Sequence, residues 1–224
     1  MIPYASALPK KECLEILDKH FEGWRFLLSP ASAPSVSKAR EHLLYDYGYA
    51  LDNGVYADWN KGRPFNEDRF LKLVEKWYHQ ADWIVIPDSV GNWTETLQMF
   101  QIWISRLMPY GRPLLMVAQD GCEENDFQTI RNIVNYKSEI GIFIGGSTEF
   151  KMEYGGSIAR ICREAQRLCH VGRVNSAKRV RICDRWGVNS FDGSGMSMFS
   201  ETARVVSKEM KKIKEQPRLF GGKL

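Results

Sequence analysis

The sequence predicts an α/β fold, a compact (β/α)8-like TIM barrel. From residue 82 onward, short apolar runs alternate with longer amphipathic stretches, an order typical of βα units that feed a parallel sheet. Runs such as Trp83-Ile84-Val85-Ile86 are apolar throughout, as expected of strands buried on both faces. With 224 residues, 44% of them hydrophobic, the chain can bury one sizeable core, so we predict a single barrel domain over residues 1–224.

Seven strands and six helices are predicted along the chain. The strand segments are residues 24–28, 47–51, 83–86, 114–118, 140–144, 169–174 and 188–191. The helical segments are residues 66–79, which Asn66 opens, 93–107, 123–136, 155–168, 176–186 and 197–215. Because only seven strands are found and the length is near the lower limit for an eight-fold barrel, an open doubly wound sheet remains the alternative architecture.

The composition predicts a reduced protein without a metal or cofactor. Five scattered cysteines form no CxxC pair, a pattern that suits free thiols better than a disulfide framework or a zinc cage. No signal segment and no apolar run of about 20 residues is found, so a soluble, cytoplasmic location without a membrane partner is expected.

Basic residues are concentrated in two stretches, although the net charge is only +4. The first contains Arg173, Lys178, Arg179, Arg181 and Arg185, and the second is the C-terminal helix and tail, with Lys208, Lys211, Lys212, Lys214, Arg218 and Lys223. Such runs are often solvated helix faces, but they also suit contacts with nucleic-acid phosphates.

Polar residues follow five of the predicted strands, at the end where parallel α/β folds place their active sites. They are Asp52, Asp88 with Ser89, Gln119, the pair Gly145-Gly146, and Asp192. Each alone could be a turn former or a helix cap. Together they suit retaining glycosyl transfer, which needs a carboxylate nucleophile and a second group that manages a proton. A third carboxylate, an amide and backbone N–H groups suit a guanine-like base.

Five segments resemble, in order, the active-site segments of guanine transglycosylases, in particular the tRNA-guanine transglycosylases. The resemblance covers about residues 45 to 200, with a further similar segment at His170-Val171-Gly172-Arg173-Val174. The five segments are Leu51-Asp52-Asn53-Gly54, Val85-Ile86-Pro87-Asp88-Ser89-Val90-Gly91, Val117-Ala118-Gln119-Asp120-Gly121, Gly141-Ile142-Phe143-Ile144-Gly145-Gly146 and Gly187-Val188-Asn189-Ser190-Phe191-Asp192.

The resemblance implies a role for each matched residue. Asp192 would attack the anomeric carbon, expel guanine and form a covalent glycosyl-aspartate, with Asp52 as the general acid/base. Asp88 would hold the N1–H and amine of the base, Gln119 would read O6, and Gly145 and Gly146 would supply backbone donors. Ser89 and Tyr56 are the other expected base-binding residues. Thr148, Glu149 and Lys151, after the glycine pair, could shape a pocket for the 7-substituent, but a solvated loop is the expected interpretation.

The tRNA enzymes also carry a zinc-binding insertion of cysteines and a histidine after the nucleophile, and this chain has neither residue type after Asp192. It is therefore more similar to the short, zinc-free DNA-guanine transglycosylases of the DpdA type known from bacteriophages, which insert preQ0-like 7-deazaguanines. That resemblance implies DNA and a free 7-deazaguanine as partners and, for a phage protein, the host cytoplasm. The candidate phosphate contacts are Arg173, Lys178, Arg179 and Arg181, and the candidate base-stacking rings are Tyr56, Trp59, Trp93 and Trp186.

Three alternatives remain. The first is a related enzyme that acts on RNA, and the second is a non-catalytic partner subunit that binds nucleic acid. The third is a different barrel chemistry on a free metabolite, such as a nucleoside hydrolase or a phosphate-binding aldolase. No glycine-rich phosphate loop opening a late helix is predicted, which weighs against the third.

Overall fold

A computed structural model describes residues 1–6, 9–20 and 23–215 and contains a closed barrel of eight parallel strands. Strand β1 pairs with both β2 and β8, which closes the ring. This confirms the predicted (β/α)8 barrel, and the open doubly wound sheet is wrong. The strands are β1 Ile2–Ser6, β2 Arg25–Leu28, β3 Tyr49–Leu51, β4 Ala81–Val85, β5 Leu114–Ala118, β6 Ile140–Ile144, β7 Cys169–Val171 and β8 Ser190–Gly193.

The prediction of seven strands missed β1. This strand carries Pro3, which has no N–H to donate and so weakens the appearance of a strand in the sequence. Its backbone is nevertheless bound on both sides, with Tyr4 opposite Arg25 of β2 and opposite Asp192 of β8. The first strand is therefore a direct neighbour of the predicted nucleophile.

Helices surround the barrel, and four of them begin with a side-chain cap. Asn66 accepts a hydrogen bond from the Arg69 N–H at 2.9 Å, as its predicted capping position requires. Asn92, Ser147 and Ser176 cap later helices in the same way. Within the described residues the helices are α1 Lys11–His20, α2 Glu41–Tyr47, α3 Val55–Trp59, α4 Glu67–Trp77, α5 Trp93–Leu107, α6 Phe127–Tyr136, α7 Thr148–Glu164, α8 Ala177–Trp186, α9 Gly195–Met198 and α10 Ser200–Glu215.

Two helix predictions need correction. Helix α7 begins at Thr148 rather than at residue 155, because Ser147 caps it and the glycines at 155 and 156 lie inside it. The segment 197–215 divides into the short α9 and the longer α10. The lysines at 208, 211, 212 and 214 lie on α10, whereas the predicted tail with Arg218 and Lys223 falls outside the described residues.

The core has two apolar layers. The larger one lies between the outer faces of the strands and the helices. The smaller one fills the barrel interior with Tyr4, Trp83, Val85 and Val117, against which Phe143 packs. Deeper in the barrel, the Tyr4 hydroxyl donates to Asp82 at 2.9 Å. Because side chains fill the interior, we expect a substrate site at the mouth formed by the carboxyl ends of the strands.

Across the described ranges of the chain, the helices are all too short or too polar to cross a lipid bilayer.

Candidate active site

Three carboxylates come together at the carboxyl ends of the strands. Asp52 follows β3 and Asp88 follows β4. Asp192 was predicted to follow its strand directly, but it lies within β8, which ends at Gly193. They are close enough that the charges of Asp192 and Asp88 both raise the pKa of Asp52. The fold therefore groups the three aspartates that the sequence singled out.

Asp192 is buried and held by two side chains. The Ser6 hydroxyl donates to Asp192 Oδ2 at 3.0 Å, and His170 Nε2 lies 3.2 Å from Oδ1. The Asp192 carbonyl also accepts the Val174 N–H. With 6% of the residue exposed, the carboxylate has a fixed orientation at the edge of the barrel interior.

Neither Ser6 nor His170 was predicted as a site residue. Ser6 belongs to the strand that the sequence reading missed. His170 begins one of the segments that resemble the transglycosylases, but it lies inside β7 rather than after it, so a search of strand ends passes over it. The available signal was its place two residues before Gly172 in a matched segment.

Asp52 has a pKa raised to about 7, first by burial and then by the charges of Asp192 and Asp88. Backbone N–H groups partly oppose this rise, including that of Gly54, which lies 3.3 Å from Asp52 Oδ2. A carboxyl group with a pKa near 7 can both release and take up a proton near neutral pH. Asp52 therefore has the property required of a general acid/base.

Asp88 is buried and held by two amides. Asn53 Nδ2 donates to Oδ1 at 2.8 Å, and Gln119 Nε2 donates to Oδ2 at 3.0 Å. Burial raises the pKa of Asp88 to about 6, although both hydrogen bonds lower it. Asn53, which had no predicted role, also donates to the Ile86 carbonyl and so ties the β3 and β4 ends together.

The Gln119 amide shapes the loop after β4. Its Oε1 accepts the Gly91 N–H at 3.0 Å, and its Nε2 donates to the Ser89 carbonyl at 2.7 Å. The Thr96 hydroxyl lies 2.9 Å from the same nitrogen. To read O6 of a base, as predicted, Gln119 would have to exchange one of these partners. In the present geometry it is a support for Asp88.

The two glycines after β6 have different roles. The Gly145 N–H donates to the Ala118 carbonyl at 2.8 Å, so the expectation that Gly145 supplies a donor to a base is corrected. Gly146 has a φ of +71° and lies so close to Asp120 that a Cβ would approach Asp120 Oδ2 to 2.6 Å. Because the Gly145 N–H is engaged, the Gly146 N–H is the one of the two that remains a candidate donor to a base.

Ser89 lies in the loop after β4, and Tyr56 lies on α3, which follows β3. The Ser89 hydroxyl donates to Glu95 at 2.6 Å, and the Ser89 N–H donates to the Thr96 hydroxyl. Both hydrogen bonds anchor the loop after β4 to α5. Tyr56, on α3, is 44% exposed, and the Arg173 guanidinium lies over its ring at 4.5 Å. The Tyr56–Arg173 contact bridges α3 and the loop after β7.

The predicted phosphate contacts separate into two groups. Arg173 donates to the Gly146 carbonyl, and Arg179 donates to the Arg173 carbonyl at 3.1 Å and to the Thr148 hydroxyl at 2.6 Å. These partners carry no full negative charge, so both guanidinium charges stay available to an anion. Lys178 is exposed. Arg181 instead forms an ion pair with Glu209 of α10 at 2.9 Å.

Lys151 is not in a solvated loop, as the sequence reading expected. It lies in the first turn of α7, and its Nζ donates to the Gly172 carbonyl at 3.0 Å. Burial, followed by the nearby Arg173, lowers its pKa to about 8. The reason for the error is that α7 starts seven residues earlier than predicted.

Two of the proposed base-stacking rings are structural. Trp186 packs on the inner face of α7, where a Cβ on Gly155 would lie 2.7 Å from its ring. Trp93 is buried at the start of α5, against Gly121. Tyr56 and Trp59 are exposed, with ring centroids 5.8 Å apart, and remain candidates for contact with a base.

A glycine-rich turn opens the short helix α9. Gly193-Ser194-Gly195 leads into α9. The Gly195 N–H donates to Asn175 Oδ1 at 2.9 Å, and a Cβ on Gly193 would lie 2.4 Å from the same oxygen. Because the Asn175 side chain occupies this position, the turn is built for packing against the loop after β7.

The chain matches no protein-family model and no curated protein. Solved structures match over nearly its whole length. It is 12% identical to a 3-hexulose-6-phosphate synthase, with 95% of this chain and 98% of that chain covered and a TM-score of 0.54. It is 11% identical to the YdjI aldolase from Escherichia coli K12, with coverages of 94% and 87% and a TM-score of 0.57.

A tryptophan synthase from M. tuberculosis is 9% identical, with coverages of 95% and 90% and a TM-score of 0.52. At these identities the likeness shows the barrel fold alone. All three of these proteins are named as enzymes and none as a transglycosylase, so the chemistry of this chain has to be argued from its own site.

Proposed function

We propose that the protein is a glycosyltransferase of the base-exchanging kind, a DNA-guanine transglycosylase that replaces guanine with a preQ0-like 7-deazaguanine. The observation that carries the proposal is the pairing of two unlike carboxylates. Asp192 is held by Ser6 and His170, while Asp52 has a pKa raised to about 7 by burial and by the charge of Asp192. Two carboxylates in different environments are the usual basis for dividing the nucleophile and acid/base roles.

In the first half-reaction, an Asp192 oxygen attacks C1′ of the nucleotide and the C1′–N9 bond breaks. The proton on Asp52 passes to the departing guanine, which leaves as a neutral base. In the second half-reaction, Asp52 removes the N9 proton of the incoming deazaguanine. Its N9 then attacks C1′, and the C1′–oxygen bond to Asp192 breaks. Two inversions give net retention, and both aspartates return to their starting states.

Asp88 is the group best suited to distinguish guanine from adenine. Its carboxylate, held by Asn53 and Gln119, can accept the N1–H and the exocyclic amine of guanine. Adenine has an acceptor at N1 and no amine at C2, so it offers the carboxylate neither of these donors and places a lone pair against it. Unpaired buried groups of this kind give large discrimination between substrates.

The nucleic acid would lie across Tyr56 and the loop after β7. A base in a duplex cannot reach the mouth, so the target nucleotide must be flipped out or single-stranded. Arg173 and Arg179 can contact phosphates, and the exposed Tyr56 and Trp59 rings can stack on bases. Arg181 is left out of this surface because Glu209 already neutralises it.

A base-exchange assay tests the proposal. The protein is incubated with guanine-containing DNA or unmodified tRNA together with radiolabelled guanine or preQ0, beside the Asp192→Ala variant. Label in DNA from the wild type alone is the expected result. Label in tRNA alone would support the RNA-acting alternative. Binding of nucleic acid without label would support the non-catalytic subunit, and neither binding nor label would contradict this family of functions.

A further inference from the structure

His170 is a buried polar side chain to which the mechanism above assigns no step. Its residue is 1% exposed, and both ring nitrogens have a partner. Nε2 lies 3.2 Å from Asp192 Oδ1, and Nδ1 lies 2.8 Å from the Ser190 hydroxyl. Ser190, His170 and Asp192 therefore form a continuous hydrogen-bonded chain from the barrel interior to the mouth.

Three aromatic rings fix the orientation of the imidazole. Phe143 stacks on it with centroids 4.8 Å apart and an interplanar angle of 27°. Trp83 and Tyr4 lie at 4.7 and 5.6 Å. Rotation of the imidazole would disturb all three contacts, so the position of Nε2 is set by packing as well as by hydrogen bonding.

The chemistry of the two partners selects one form of the ring. Burial lowers the pKa of His170, which favours the neutral imidazole with one donor and one acceptor nitrogen. An ionised Asp192 can only accept, so Nε2 must carry the hydrogen. The Ser190 hydroxyl can donate, which leaves Nδ1 as its acceptor. The opposite tautomer would place a lone pair against a carboxylate oxygen.

We propose that His170 is a positioning residue for the nucleophile: its Nε2–H holds Asp192 Oδ1 while Ser6 holds Oδ2. The inference rests on the proposed function. With a donor on each oxygen, the plane of the carboxylate is fixed before substrate arrives. His170 lies beneath Asp192 among Phe143, Trp83 and Tyr4, so it acts through Asp192 and does not itself contact the sugar.

Two matched variants separate the effect of the hydrogen-bond donor from the effect of side-chain volume. In His170→Gln an amide N–H can replace Nε2–H, whereas His170→Met has a similar length and no donor. Misplacing a reacting group by about 1 Å can reduce a rate about 100-fold. We expect His170→Met to lower kcat about 100-fold at nearly unchanged KM. The kcat of His170→Gln should lie between that of His170→Met and that of the wild type. His42→Gln, on the exposed face of α2, is the activity control.

Nitrogen-15 spectra of the imidazoles give a readout that does not depend on turnover. The expected His170 signal has a protonated Nε2 and an unprotonated Nδ1, and its Nε2 resonance moves in Asp192→Ala. Ser190→Ala should move the Nδ1 resonance. Full activity of His170→Met, or a ring that carries its proton at Nδ1 and none at Nε2, would overturn the inference. Absence of base exchange by the wild type would instead contradict the proposed function, and the spectra would still decide the His170–Asp192 bond.

Discussion

The Ser6 hydroxyl donates a hydrogen bond to Asp192 Oδ2 at 3.0 Å, although 186 residues separate the two along the chain. Closure of the barrel creates this contact, because β1 and β8 are neighbours in the sheet. The predicted nucleophile is thus held at the seam where the two ends of the fold meet. A substitution that disturbs β1 should therefore alter the position of Asp192, even though β1 carries none of the predicted site residues.

Asp52→Asn should lower the rate of base exchange by about 10²- to 10⁴-fold, because the asparagine can neither deliver nor take up a proton. In the wild type, the first half-reaction needs a protonated Asp52, whose pKa is about 7. Release of guanine in a single turnover should therefore slow as the pH rises through about 7. A rate of release that is independent of pH, or an active Asp52→Asn variant, would exclude Asp52 as the acid.

The same substitution should stabilise the protein above neutral pH. The folded-state pKa of Asp52 is about 7, against an ordinary value of 3.8. The folded state therefore holds the proton more tightly, and the free energy of unfolding falls as the pH rises from about 4 to about 7. The asparagine removes this cost. In urea titrations at pH 8, the free energy of unfolding of Asp52→Asn should be about 1–2 kcal/mol higher than that of the wild type.

At pH 4 the gain in Asp52→Asn should disappear, because the wild-type carboxyl is then protonated when folded. Asp46→Asn, at an exposed position on α2, is the control and should change little at either pH. A gain of the same size at both pH values would mean that the charge of Asp52 is not the cause.

Gln119→Leu should weaken both the fold and base binding. The leucine leaves the Gly91 N–H without its acceptor and Asp88 without one of its two amide donors. Loss of a donor to the buried Asp88 costs about 1–3 kcal/mol, whereas the Gly91 N–H lies at an exposed position where water can replace the acceptor. We expect a lower free energy of unfolding and weaker binding of guanine in an equilibrium titration. Gln101→Leu, at an exposed position on α5, should leave both unchanged, and equal behaviour of the two variants would contradict the assigned role.

Arg173→Ala and Arg181→Ala should affect different properties. Among residues 1–6, 9–20 and 23–215, no carboxylate forms an ion pair with Arg173, so its loss should weaken DNA binding and reduce the slope of log K against log salt by about 1. Arg181 is paired with the buried Glu209, so its loss should lower stability by about 1 kcal/mol and leave the slope unchanged. A salt titration of both variants decides this, and equal slopes for the two would contradict the proposed surface.

The sequence predicted the C-terminal two thirds of the barrel more accurately than the start. From β4 onward, apolar strands and capped helices alternate with little ambiguity, as with Asn92 before α5. The first strand was missed because Pro3 interrupts its pattern. The start of α7 was misplaced because Ser147, which caps the helix, was interpreted as part of the loop after β6.

The site was predicted where a carboxylate follows a strand and missed where an uncharged side chain supports that carboxylate from a neighbouring strand or loop. Asp52, Asp88 and Asp192 share a signal that a single sequence can show. Asn53 and His170 matter through contacts across neighbouring strands, with Ile86 and Ser190 respectively, and such contacts depend on register. Gln119 was placed correctly, but only the structure shows that its amide is already engaged with Gly91 and Asp88.

The most direct test of the account is the detection of the covalent intermediate. The protein is mixed with a guanine-containing oligonucleotide in the absence of an incoming base, quenched in acid and digested, and the peptides are analysed by mass spectrometry. The account predicts release of free guanine and an oligonucleotide attached to the peptide that contains Asp192, with neither in Asp192→Ala. Release of guanine without an adduct, or an adduct on another residue, would contradict the assignment of Asp192 as the nucleophile.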